Sequence, residues 1–320
     1  MREQILNMLL ARQNAYLSGE QISGDLGVTR AAVWKHIRAL QVDGFEIEAA
    51  PRKGYRLKAG RDILCTALLD PLLDTRRLGR PSLFLRTTLS TNIEAKRLAQ
   101  QGAAHGAVVA GEEQTAGRGR LGRGWVNARG LDICLSILAR PNIETRYAAR
   151  FTIATALGVY RLTRQYGLNA GIKWPNDVLV SGKKICGILL ELEGTLDRLS
   201  AVVIGLGLNV NNPAFAPPLD QTATSFALEM GRVTPRIEVL ANLLNILEPL
   251  YEDCATEAGF AGILRAYREN CQTIGREISI TGIHDSVCGI ARDVGDMGKL
   301  LLQTPDGRMH TFATGDVSLR

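Results

Sequence analysis

Between Gly117 and Trp125 the chain reads Gly-Arg-Gly-Arg-Leu-Gly-Arg-Gly-Trp, four glycines and three arginines within nine residues. A glycine inside a helix costs about 1 kcal/mol relative to alanine, and in a strand it offers no side chain to pack, so this stretch has to be a loop. Glycine lets the backbone come close to a ligand. Arginine presents a fixed fork of donors to phosphate or carboxylate oxygens. Such a loop can wrap an anion, which points to phosphate or acyl-phosphate chemistry. Gly117, Gly119 and Gly122 satisfy G-x-G-x-x-G, yet a dinucleotide fingerprint follows a strand directly and opens a helix. Here a polar stretch, Glu112-Glu113-Gln114-Thr115, precedes the loop and a strand pattern follows it. G-x-x-x-x-G-K-S/T is absent as well, so a nucleotide has to be held by another device.

Strands and helices mix around this loop. Residues 83–85 read as a strand leading into Ser90-Thr91-Asn92, where Ser90 or Thr91 can cap a helix through Ile93, Ala95, Leu98 and Ala99. Residues 107–110 and 131–138 read as further strands, and 147–166 as a helix apolar enough to pack on the sheet. Lys173-Trp174-Pro175-Asn176-Asp177 places a lysine, a rigid turn and two polar side chains together. The turn Ser181-Gly182-Lys183-Lys184 feeds a strand at 185–192 containing Gly187. The strand at 201–210 carries Gly205 and Gly207, and glycine inside a strand marks a bulge or a ligand lying on the backbone.

The first 60 residues read as a separate helical module. Ile5, Leu6, Leu9 and Leu10 form an apolar stripe. Ser18-Gly19-Glu20-Gln21 has the capping-box form and opens a short helix that stops at Gly27. Thr29 caps a third helix that buries Val33, Ile37 and Leu40 and turns Arg30, Trp34, Lys35 and Arg38 elsewhere. Strands at 45–48 and 55–57 flank a basic turn with Arg52 and Lys53. This is a winged helix-turn-helix, with Thr29, Arg30, Trp34, Lys35, Arg38, Arg52 and Lys53 as candidate DNA contacts. The other readings are a winged helix used for protein contacts and one that has lost DNA binding.

In the tail, Thr234 can cap a helix that begins at Pro235 and continues, with a break near Gly259, to about Asn270. Short strands at 275–280, 289–291, 299–302 and 315–319 then suggest a small SH3-like barrel. The 320 residues hold 46% apolar and 22% charged residues, the balance of a globular protein. No apolar run approaches the roughly 18 residues that cross a bilayer. Six scattered cysteines form no CxxC pair, so neither a zinc site nor a disulfide framework is expected, no metal ligands are assigned, and a cytoplasmic setting follows. A net charge of +6 permits nucleic-acid binding without demanding it.

Taken in order, Gly117-Arg118-Gly119-Arg120 with Gly122-Arg123 and Trp125, Lys173-Trp174-Pro175-Asn176-Asp177, Lys184 with Gly187-Ile188-Leu189, and Gly205-Leu206-Gly207-Leu208-Asn209 closely resemble the biotin–protein ligases. The winged helix in front makes the chain similar to the bifunctional form, a biotin operon repressor and ligase. The resemblance implies an α+β protein: a winged helix-turn-helix (1–62), a mixed-sheet catalytic domain with helices (63–271) and an SH3-like C-terminal domain (272–320). It implies that biotin and ATP condense with Mg²⁺ to biotinyl-5′-adenylate, and that a lysine of biotin carboxyl carrier protein of acetyl-CoA carboxylase then displaces AMP. It also implies a homodimer, formed when the adenylate is bound, that binds operator DNA and represses biotin synthesis genes.

By the same resemblance Ser90, Thr91, Asn92 and Gln114 line the biotin pocket, and Gly117, Arg118, Gly119 and Arg120 fold over the adenylate. Lys184 holds carboxylate and phosphate oxygens; Gly187, Gly205 and Gly207 form pocket walls; Asn176 and Asn209 stand near the nucleotide phosphates and metal. Trp125 and Lys173 complete the binding set. Bringing a carboxylate onto the α-phosphorus requires fixed cations, and Arg118, Arg120, Lys173 and Lys184 are the available ones. Asp177 is the candidate to orient or deprotonate the incoming amine. Residues 211–224, rich in Pro and Ala, are expected as a second loop near the site. Leu121 and Gly124 stand where many family members carry basic residues, which predicts retained catalysis with looser adenylate binding. The alternatives are a ligase with a non-regulatory winged helix, a lipoate–protein ligase, and a non-catalytic ligand-sensing repressor.

Overall fold

The computed structural model describes residues 1–12, 15–58, 62–194, 199–281 and 286–319, which divide into two compact units, Met1–Pro71 and Leu72–Arg320. In the first unit, α1 (Arg2–Ala11), α2 (Gly19–Leu26) and α3 (Arg30–Val42) precede an antiparallel hairpin of β1 (Ile47–Ala50) and β2 (Gly54–Leu57); α4 (Thr66–Leu69) follows. Both predicted caps form: Ser18 Oγ accepts from Gln21 N at 3.0 Å and Thr29 Oγ1 from Ala32 N at 3.2 Å. Gly27 ends α2 in the left-handed region, with φ 63°. Ile5, Leu9, Leu17, Ile22, Val33, Ile37 and Leu40 make the core, and Ala67 of α4 packs on it.

The hairpin is tied to the loop before α2 through Glu48, which accepts from Tyr16 Oη at 2.8 Å and Arg56 Nη2 at 2.6 Å. The Arg56 hydrogen bond, helped by that of Tyr16, lowers the Glu48 carboxyl to about 2 from its ordinary 4.5. The unfolded chain therefore binds more protons between those two values, and the stabilisation is complete above about 4.5 and lost as pH falls towards about 2. We expect protection factors of the β1 and β2 amides to fall across that window and Glu48→Gln to flatten the fall. Protection independent of pH in the parent protein would contradict this account of Glu48.

The second unit is built on a mixed sheet in the order β3-β4-β5-β9-β8-β7-β6. Its strands are β3 (Ser82–Leu85), β4 (Val108–Gly111), β5 (Ile133–Ala139), β6 (Ala170–Lys173), β7 (Asp177–Val180), β8 (Lys183–Gly194) and β9 (Leu199–Leu208). Among the described strands of this sheet β3 and β4 pair in parallel, around the crossover helix α5 (Thr91–Gln100), and the other pairs are antiparallel. Against the sheet lies α6 (Ala149–Gln165), buried along most of its length, backed by α8 (Arg236–Asp253) and α9 (Glu257–Glu269); α7 (Phe226–Met230) follows the 215–223 segment. Beyond them β10 (Glu277–Thr281), β11 (Ser286–Val294), β12 (Leu300–Gln303), β13 (Met309–Phe312) and β14 (Asp316–Leu319) form an antiparallel sheet in the order β13-β12-β11-β10-β14.

Two local expectations are corrected, and the break expected near Gly259 is given its place. Neither Ser90 nor Thr91 caps α5 with its side chain, because Thr91 Oγ1 turns to Gln114 and Ser136 instead. Thr234 does not cap α8; Pro235 is the N-cap residue, while the backbone of Thr234 exchanges two hydrogen bonds with the Asn211 side chain at 2.9 Å. The helix break falls before Gly259: Thr256 caps α9 by accepting from Gly259 N at 3.1 Å, and a Cβ on Gly259 would stand 2.6 Å from Asp253 O.

Candidate active site and winged helix

The end of β4 and the start of β5 are fixed by a buried arginine. Arg236, fully buried in α8, donates to Glu112 at 2.7 and 3.2 Å and to Asp132 O at 3.0 Å. Between those strand ends the Gly/Arg loop closes on itself. Trp125 N donates to Gly117 O at 2.9 Å and Gly119 N to Arg123 O at 2.7 Å. The turn needs positive φ at Leu121 (56°) and Gly122 (75°). A Cβ on Gly117 would stand 2.4 Å from Trp125 O, so only glycine fits beneath the returning strand.

Beneath this loop is a cavity of about 630 Å³, walled by the start of α5, β8, β9, parts of 215–223 and residues 315–318. Every residue assigned to substrate binding or catalysis lines it except Gly117, which lies behind Trp125. The glycines make the space. A Cβ on Gly205 would fall 2.2 Å from Asn92 Oδ1, one on Gly207 2.0 Å from Trp125 Cε2, and one on Gly187 2.8 Å from Lys184 Nζ. Gly187 and Gly207 face each other across β8–β9, so the indole lies over a floor that has no side chains.

The polar lining falls into two groups. Ser90, Thr91, Asn92 and Gln114 are neutral: Gln114 Oε1 accepts from Thr91 N at 2.8 Å, and Asn127 Oδ1 holds Gln114 N at 3.1 Å. The charged group holds Arg118, Arg120, Arg123, Lys173, Asp177, Lys184 and Asp316. Lys184 Nζ stands 2.7 Å from Asp177 Oδ1, at an angle that leaves this oxygen without a hydrogen bond, and 5.6 Å from the centre of the Trp125 ring. Arg120 donates to Asn176 Oδ1 at 2.7 Å and also bonds Thr314 and Gly315 O; burial lowers its pKa. Arg123 pairs with Asp316, and Arg118 is exposed on the loop. Asn209 lines the cavity but donates its amide to Thr224 O at 3.0 Å, while the N–H and C=O of Lys184 bond Thr222 and Thr224 and so tie the segment to β8. Cys134, paired with Gly207 across β5–β9, is no nucleophile: burial pushes its thiol up to about 12.

Asp316, Thr314 and Gly315 had no place in the sequence-based site. They lie more than 190 residues from the loop they bind, and no local pattern marks such a contact. The approach of Phe215, Leu219 and Thr222 to the cavity follows the position expected for the 211–224 segment.

In the first unit, Arg30, Trp34, Lys35 and Arg38 are exposed on α3 opposite buried Val33, Ile37 and Leu40. Trp34 is 55% exposed and lies under the Arg38 guanidinium at 5.5 Å. Arg52 and Lys53 are exposed at the hairpin turn, and Thr29 is exposed while it caps the helix.

Three family models match in chain order: an HTH domain at residues 1–56, the biotin/lipoate A/B protein ligase family at 84–209, and the biotin protein ligase C terminal domain at 273–320. The bifunctional ligase/repressor BirA of Bacillus subtilis is 34% identical over 310 residues, 96% of this chain and 95% of the relative. That of Escherichia coli is 30% identical over 314 residues, 97% and 95% of the two chains. A biotin–acetyl-CoA-carboxylase ligase of Paracoccus denitrificans is 35% identical over 235 residues, covering 70% of this chain and 95% of its own. The biotin protein ligase of Aquifex aeolicus, solved with biotin and ATP, shares the fold with a TM-score of 0.63 at 24% identity, over 77% of this chain and 99% of that one. Matched along almost its whole length by ligase/repressors built in the same order, the chain belongs to the biotin–protein ligase family and carries a helix-turn-helix domain at its front.

Proposed function

We propose that this chain is an ATP-dependent biotin–protein ligase that forms biotinyl-5′-AMP and passes biotin to a lysine of a biotin carboxyl carrier protein, and that it represses transcription through its winged helix. The observation that carries the reading is the division of one cavity between a neutral hydrogen-bonding wall and a cluster of fixed cations over a glycine floor. The neutral wall suits the ureido ring of biotin. Lys184, Arg118, Arg120 and Lys173 suit the carboxylate and the phosphates of ATP, which enters as its Mg²⁺ complex. Mg²⁺ keeps most of its waters and needs one or two carboxylates at most. Among the described residues no group of three potential ligands converges, so an ion carried in on the nucleotide fits this donor set.

In the first step a biotin carboxylate oxygen bonds the α-phosphorus and pyrophosphate leaves. Charge concentrates there, and the preset cations oppose it without reorganising. The loop from Gly117 to Trp125 shields the mixed anhydride from water. In the second step the carrier amine attacks the acyl carbon, AMP leaves, and the amine gives up a proton; Asp177 is the carboxylate we assign to orient it or receive that proton. A homodimer and operator binding belong to the same reading, as do a cytoplasmic setting and the domain limits 1–62, 63–271 and 272–320.

Incubation with biotin, Mg²⁺-ATP and a carrier domain, read by mass, tests the enzyme: one biotin per carrier is expected, and lipoylation in its place would overturn the substrate assignment. For the winged helix, Lys53→Ala is expected to weaken DNA binding across all sequences and to lower the slope of log K against log salt by about 1, one phosphate contact. An unchanged slope would remove Lys53 from the interface.

A further inference from the structure

Behind the neutral wall of the cavity runs a chain of hydrogen bonds that the ligase reading does not use. Lys96 Nζ, on α5, donates to Glu191 Oε1 at 2.8 Å, and Glu191 Oε2 accepts from Asn92 Nδ2 at 2.6 Å. On the other side of the amide, Ser136 Oγ lies 2.6 Å from Asn92 Oδ1 and 2.7 Å from Thr91 Oγ1. Ser136 is fully buried and Asn92 is 4% exposed, so neither can turn to bulk water.

An amide can sit in such a slot in two ways related by a flip, and the network decides which. Serine has one proton and can either donate to Asn92 or accept from it, so Ser136 decides nothing. Glu191 does decide: an ionised carboxylate only accepts, and so demands the N–H side of Asn92. Burial works to raise the Glu191 pKa, but the bonds from Lys96 and Asn92 outweigh it and keep the group below its ordinary value. With Glu191 charged, Asn92 Oδ1 takes the Ser136 proton, and Asn92, which lines the cavity, keeps a second N–H that neither Glu191 nor Ser136 uses.

We infer that Glu191, held by Lys96, is a positioning residue that fixes Asn92 as a donor towards the cavity and thereby selects a ligand that presents a carbonyl oxygen there. The inference rests on the ligase reading, in which that ligand is the cyclic urea of biotin. Glu191→Gln reverses the arrangement. Lys96 retains the amide oxygen of the new side chain, its NH₂ faces Asn92, and the Asn92 amide flips to show the cavity an acceptor.

The test measures adenylate formation at saturating Mg²⁺-ATP with biotin and with 2-iminobiotin, whose guanidino carbon bears NH₂ where biotin has oxygen. For Glu191→Gln the biotin KM is expected to rise about tenfold, the size of one lost hydrogen bond, with kcat within about twofold. Preference for biotin over 2-iminobiotin should fall by about the same factor. Adding Lys96→Met to Glu191→Gln frees the new amide to turn its oxygen to Asn92, and most of the biotin KM should return. A merely structural Glu191 predicts no such rescue. Equal KM increases for both ligands, or no rescue by Lys96→Met, would overturn the inference while the parent enzyme still makes adenylate. Failure of the parent enzyme with biotin would overturn the ligase reading and the inference together.

Discussion

Replacing Lys184 with alanine is expected to lower the rate of biotinyl-adenylate formation by about 10²- to 10³-fold, the range found when one preorganised charge stabiliser is removed from an active site. Lys184 is the second residue of β8 and lies beside the 222–224 segment, which bonds both its N–H and its C=O, so the ammonium is placed by rigid elements. It is also the cation that faces Asp177, at 2.7 Å. Its removal leaves a carboxylate with 19% of its side chain exposed beside two anionic substrates. Part of the loss should therefore appear as weaker ATP binding, and Lys184→Ala with Asp177→Asn should recover that part but not the rate. Single-turnover formation of the adenylate separates the two. A single variant within about threefold of the parent rate would remove Lys184 from the centre of the mechanism.

A methyl group on the cavity floor should be nearly as damaging. Gly207→Ala places a Cβ 2.0 Å from the Trp125 ring, in a strand whose central position allows no retreat between β5 and β8. The indole has to lift, and with it the loop, because Trp125 N is bonded to Gly117 O. Overpacking of this kind costs about 1–3 kcal/mol. The backbone at 207 is ordinary for any residue, so the cost should fall on the loop rather than on the strand. We expect release of biotinyl-adenylate to accelerate roughly ten- to hundredfold, converting that cost at about 1.4 kcal/mol per decade. An unchanged release rate would mean that the loop is retained without the indole seated on Gly207.

How far the sequence could be read follows the range of each interaction. The caps at Ser18 and Thr29 were legible because donor and acceptor lie three residues apart. The expected cap at Ser90 or Thr91 failed because Thr91 is claimed by Gln114 and Ser136, from other strands and loops. The spacing of Gly205 and Gly207 announced something lying on the backbone. That Asn92 and Trp125 from the chain itself occupy this space depends on the packing of α5 and the loop over β9. β13 escaped notice because it is a short edge strand with an exposed start, Met309 being 54% exposed, and so lacks the apolar alternation that marks a half-buried strand. The bonds from Arg120 and Arg123 to residues 314–316 could not be read from sequence at all. They exist because the start of β14 lies beside the cavity.

The most direct test of the account is a single incubation of the protein with biotin, Mg²⁺ and α-labelled ATP, without carrier, followed by separation of the labelled nucleotides. Biotinyl-5′-AMP should form with one equivalent of pyrophosphate and be absent in Lys184→Ala on the same time scale. Labelled AMP that never passes through a biotin-linked species, or no turnover of ATP with biotin present, would contradict the assignment of the cavity to adenylate formation.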